Sequence, residues 1–237
     1  MLGQSLAILP FRGRLLVFNT LEGPNLAGST AYYQRIRWSA IGSPLVADSW
    51  RDDINGKGGF LDIPTSQNIT SVGFVRDNVV VYCERSTWQL RYTGRSIAPF
   101  QIEKVNPELG AWATFSAVQF DTSLVGIGDK GIVECDAFKS VRIDTKIPDL
   151  VYQFNNLNEG AIRVHGIRDF QQRLAYWIYP YSPTQVDGYD YFPNRRLVYN
   201  YENDSWAIFT DSLTCLGTYQ EDSSLLWRDA SDPWSEA

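Results

Sequence analysis

The stretch NVVVYCERSTWQLRYTG, residues 78–94, limits what this chain can fold into more than any other feature. Val79, Val80, Val81 and Tyr82 are β-branched or aromatic and suit a pleated surface. Glu84, Arg85 and Ser86 break the run with residues that tolerate a turn. From Thr87 the chain alternates: Trp88, Leu90 and Tyr92 point one way, Gln89 and Arg91 the other. Period-two alternation on either side of a short polar break reads as two antiparallel strands. Gly94 closes the second with a residue able to take a positive φ.

The same design returns along the chain. RLLVFN (14–19) pairs with YYQRIRWSA (32–40) across a loop holding Gly23, Pro24 and Gly28. Residues 69–94 supply three strands of a meander and residues 116–136 three more, turning at Asp129-Lys130-Gly131. Residues 164–181 and 195–210 supply four, with a turn at Glu202 to Ser205, and residues 214–229 begin another pair. The corresponding second-strand residues Leu15, Val80, Leu124, Leu174 and Leu225 lie 65, 44, 50 and 51 residues apart. Spacings of 40 to 50 residues with about four strands each mark the blades of a β-propeller, whereas a β-sandwich offers short strands without that period. The expected fold is therefore all-β, a propeller of about four to five blades of antiparallel meanders in a single domain over residues 1–237. Its last blade is incomplete: either the first residues close it, or the chain is a piece of a longer protein. Residues 48–68 and 182–195, rich in Asp, Gly, Asn or Pro, read as loops or insertions.

Composition narrows the function. Hydrophobic residues make up 44% of the chain, enough for a sizeable core. The net charge of −6 argues against tight binding to a nucleic-acid backbone, which needs clustered Lys and Arg. No run of about 18 apolar residues exists to span a membrane, and the apolar N-terminal stretch reads as a strand rather than a signal peptide. Cys83, Cys135 and Cys215 show no CxxC spacing and read as small buried residues in a reduced compartment, with no zinc site and no other metal or cofactor expected.

No catalytic constellation emerges. His165, the single histidine, lies in an expected strand without a GxSxG anywhere, so a structural role is expected. The pairs Asp52/Asp53 and Asp187/Asp190 are the only arrangement suited to glycosidic hydrolysis, and loop carboxylates are ordinarily just solvated. DDINGKGG (52–59) has the spaced oxygens of a calcium loop, but Ile63 stands where an EF-hand needs its last glutamate, which leaves only an irregular calcium site open. GDKG and GKGG lack the spacing of phosphate loops. Trp88, Trp112, Trp177 and Trp206 sit on alternating strands, where packing between blades is the expected use rather than stacking of sugars or bases.

The order of these elements resembles a known group. YYQRIRWSAIGSPLVADSW, then VVVYCERSTWQLRYTG, PFQIEKVNPELGAWA, GDKGIVECDAF and RLAYWIYP…RRLVYNYENDSWAIF are similar to the nozzle or tail-tube β-propeller proteins of short-tailed bacteriophages, over roughly residues 5–229. The resemblance implies a non-enzymatic virion component, assembled in the host cytoplasm. It would form a homo-oligomeric ring with other tail proteins (portal, adaptor, fibres), and DNA would pass it during genome ejection without specific binding. An overall acidic charge suits a channel that repels phosphate. Two alternatives stand beside it: a carbohydrate-binding or glycan-hydrolysing propeller, and a Kelch-like protein-binding module. YNYENDSWAIF resembles a Kelch strand pair, although the Kelch double glycine after a strand is missing.

Overall fold

The computed structural model describes residues 2–24, 27–154, 160, 162–182 and 192–218. Sixteen strands form four antiparallel sheets, each a simple meander of four consecutive strands. Sheet 1 contains β1 (Leu2–Phe11), β2 (Arg14–Glu22), β3 (Thr30–Trp38) and β4 (Gly59–Asp62). Sheet 2 contains β5 (Ile69–Val75), β6 (Asn78–Cys83), β7 (Thr87–Tyr92) and β8 (Phe100–Asn106). Sheet 3 contains β9 (Val118–Gln119), β10 (Leu124–Gly128), β11 (Gly131–Cys135) and β12 (Ser140–Arg142). Sheet 4 contains β13 (His165–Asp169), β14 (Leu174–Tyr179), β15 (Arg195–Asn200) and β16 (Ser205–Phe209). Leu15, Val80, Leu124 and Leu174 all fall on second strands, as their spacing predicts; Leu225 lies outside the described residues.

Three apolar clusters hold the sheets in sequence order. Leu16, Phe18, Ile36 and Trp38 of sheet 1 meet Val79, Val81, Trp88 and Leu90 of sheet 2. Val80 and Tyr82 of sheet 2 meet Leu124, Val133 and Cys135 of sheet 3. Val125, Ile127 and Ile132 of sheet 3 meet Ala175, Trp177, Tyr179 and Leu197 of sheet 4. The unbroken apolar run of β6 is thereby explained. Side chains alternate across a strand, so Val79 and Val81 feed one interface while Val80 and Tyr82 feed the next. A sheet covered on both faces has no polar side to write into its sequence.

The sheets fan out from their first strands. β1 touches β5, β5 touches β9 and β9 touches β13, whereas the fourth strands are not in comparable contact. Each first strand is the end of its sheet and pairs on one edge only. Wedge-like stacking of four-stranded meanders about their first strands is a propeller-like arrangement. Buried polar links bolt the sheets near this inner side. The Tyr82 hydroxyl donates to Leu124 O at 2.7 Å, Trp177 Nε1 to Ser116 O at 2.8 Å, and Asn19 Nδ2 to Ile69 O at 3.0 Å. Close approach also requires glycine: a Cβ on Gly166 would stand 2.5 Å from Trp177 Nε1 and 2.6 Å from Val118.

Turns follow their residues. The β10–β11 turn closes on Gly131 at φ 145°, and Gly94 takes φ 76° after β7. Two expectations need correction. Residues 48–68 are not all loop, because Gly59–Asp62 forms β4 against β3; short flanking glycines hid a strand whose pairing is tertiary. Cys215 is exposed while Cys83 and Cys135 are buried, because Cys215 follows β16 instead of lying within a covered strand. Of the second expected loop, residues 183–191 lie outside the described residues.

Candidate functional site

Three surfaces of the stack present functional chemistry. The first is the inner wall formed by β1, β5, β9 and β13. LGQSLAILPF, ITSVGFV and VQ, the sequences of β1, β5 and β9, contain no ionisable side chain. β13 carries His165, Arg168 and Asp169. Arg168 is the single Lys or Arg on the four strands, and its guanidinium is held by Asp121 through two bonds of 2.9 and 3.2 Å. Its side chain is only 8% exposed, and its guanidinium carbon lies 4.4 to 5.0 Å from the ring centres of Phe120, Phe170 and Tyr201. Hydrogen bonding to Asp121 raises the Arg168 pKa, and the same contact lowers that of Asp121. The charge is fixed and already answered, so it has little left to offer a phosphate.

The second surface is the outer face of sheet 1. Ile36 and Trp38 turn inward, which places Arg35 and Arg37 outward. Arg35 grips Asp62 with two bonds of 2.8 Å, and its guanidinium lies 3.7 Å from the Tyr32 ring centre and 4.0 Å from that of Phe60. Glu22 accepts from Arg37 at 2.7 Å and lies 3.6 Å from Arg35. Arg37 also donates to Trp50 O, which ties the 39–58 loop over part of this face. Leu6, Ile8 and Tyr33 remain exposed beside it.

The third is the outer face of sheet 4, where Leu174, Tyr176, Arg196, Val198, Ala207 and Phe209 line a shallow groove of about 320 Å³. Arg196 lies 5.1 Å from the Phe209 ring centre and pairs with Asp211 at 2.8 Å, yet its Nε is buried without a hydrogen-bond partner.

The candidates singled out in the sequence do not converge. His165 is half-buried on β13, stacks on Phe115 at 6.0 Å between ring centres, and has its pKa lowered by burial; its Nδ1 has no partner. Asp53 is engaged by Arg51, which lowers its pKa. Asp52 borders a groove of about 360 Å³ with Trp38, Phe60 and Phe100. Glycosidic hydrolysis takes two facing carboxylates, and Asp52 is the one carboxylate among the residues lining that groove. Asp187 and Asp190 lie outside the described residues. Among the described residues no group of three or more His, Cys, Asp or Glu side chains is arranged to hold a metal ion. Trp88 and Trp177 are buried in the inter-sheet clusters, and Trp206 stacks on Tyr199 at 4.2 Å; Trp112 is half-buried beside β10. The Arg35–Glu22–Arg37 and Arg168 clusters were not legible beforehand, because their members come from different strands or sheets. The only local signal was an arginine on the polar side of a strand beside aromatic residues.

These features define an all-β protein of propeller-like architecture. No family model matches the chain, and no curated protein matches it. Among solved structures it is similar to apo AztD from Citrobacter koseri, with 12% identity, 90% of this chain covered and a TM-score of 0.39. It is also similar to a lignostilbene dioxygenase from Pseudomonas brassicacearum, with 8% identity, 87% of this chain covered and a TM-score of 0.40. The matches cover 60% of either neighbour's own chain. No helix among the described residues is long and apolar enough to cross a membrane.

Proposed function

We propose that this chain is a non-enzymatic structural component of a bacteriophage tail, of the nozzle or tail-tube kind, and that its inner wall forms part of the path by which the genome leaves. The observation that carries the proposal is the composition of that wall. A protein that grips DNA neutralises phosphates with Lys and Arg and releases counterions. The four first strands hold one such side chain, Arg168, and Asp121 occupies it. DNA would slide past a surface of this kind without being held. The motif order described above supports the tail assignment, and the charged, aromatic outer face of sheet 1 suits contact with a neighbouring subunit in a homo-oligomeric ring or with portal, adaptor or fibre proteins.

The test is twofold. Mass spectrometry and electron microscopy of particles from the phage that encodes the chain should find it in the virion, in density at the tail. Purified protein should fail to retain duplex DNA at about 0.15 M salt. Absence from particles would overturn the assignment. Duplex binding tighter than about 10⁻⁶ M would overturn the sliding wall, since non-specific binders already reach that affinity.

A further inference from the structure

The outer face of sheet 4 is built like an interior surface. On the corresponding side, sheets 1, 2 and 3 each meet the sheet that follows them. Sheet 4 carries Leu174, Tyr176, Ile178, Val198 and Phe209 on that side, opposite Ala175, Trp177 and Leu197. Phe209 is 47% exposed and the groove beside it is open. We propose that this face is covered by the chain's own residues 219–237, which lie on it as the beginning of a further sheet.

Three observations choose this occupant over a second copy. First, connectivity: after β4, β8 and β12 the chain crosses each time to the same side and starts the next sheet there. β16 is the fourth strand of sheet 4, and the chain that follows it reaches residue 219 within ten residues of Phe209. Second, chemistry: residues 219–237 supply Tyr219, Leu225, Leu226, Trp227 and Trp234 for the groove. They also carry Glu221, Asp222, Asp229, Asp232 and Glu236 against Arg228 alone, an acidic excess facing Arg196, whose Nε has no partner. Third, tethering: a segment joined by a short linker is present at an effective concentration in the millimolar range, far above that of a second molecule at micromolar concentration. The outer face of sheet 1 differs, being occupied by the Arg35–Asp62 and Arg37–Glu22 pairs and roofed in part through Trp50.

The inference is independent of the tail assignment. Its test is photo-crosslinking of the full chain with Phe209→p-benzoylphenylalanine at low micromolar concentration, followed by cleavage after glutamate, which separates residues 203–221 from 222–236. The expected product is an adduct joining these two peptides in the band of monomer mass. Ala207→p-benzoylphenylalanine, at an exposed position of the same face, serves if the first variant does not fold. An adduct of dimer mass, adducts confined to other peptides, or none at all would overturn the proposal.

Discussion

Single residues fasten this molecule where sheets meet. Tyr82 is fully buried, yet its hydroxyl reaches across to Leu124 O at 2.7 Å. Tyr82→Phe leaves the ring in place and strips a buried carbonyl of its donor, so denaturant unfolding should show a loss of about 1–3 kcal/mol. A loss near zero would mean that the bond contributes nothing to holding sheets 2 and 3. Cys83 gives a pH prediction. Burial pushes its thiol up from 9.0 to about 12. Because the folded value lies above the unfolded one, the protonated thiol's contribution is complete below about pH 9 and is lost as pH rises through about 12. Burial raises the pKa values of Cys135, Tyr82 and Tyr179 as well, which steepens the same limb. Stability followed by circular dichroism should therefore fall from about pH 9 upward, and Cys83→Ala should flatten the fall. In thiol labelling of native protein at pH 8, exposed Cys215 should react quickly and buried Cys83 and Cys135 slowly. Equal rates at all three would contradict the burial described.

At the scale of elements, what distinguishes one strand from another is how many of its faces are covered. β6 and β10 are buried almost throughout, while β1 alternates between inward and outward residues. Leu90→Ala on β7 removes a fully buried side chain and should cost about 2–5 kcal/mol. Ile8→Ala on β1 removes one that is 57% exposed and should stay within about 0.5 kcal/mol. Melting curves of the two variants side by side would decide the point, and equal losses would mean that the outer face of sheet 1 is covered in solution. The hairpin of residues 78–94 was fully legible, because both its alternation and its turn are local. β4 was not: four residues beside Gly58 and Gly59 become a strand only when Arg35 to Trp38 are there to pair with them.

The whole molecule is a one-dimensional series of sheets, each stabilised by its neighbours. Sheets 2 and 3 have two neighbours, so amide hydrogen exchange should be slowest in β6, β10 and β11 and faster in β1. Uniform protection from β1 to β11 would mean that another body covers sheet 1. The repeat spacing, the strand types and the continuous apolar runs of the central sheets could all be read in the sequence, since each follows from the period of a strand and from which residues avoid water. Tertiary structure alone decided which sheet faces which, that the first strands gather on the inner side, and that Arg168 meets Asp121 across 47 residues of chain. Those pairings join positions distant in sequence, and the pattern along one strand says that a face is buried without saying what buries it.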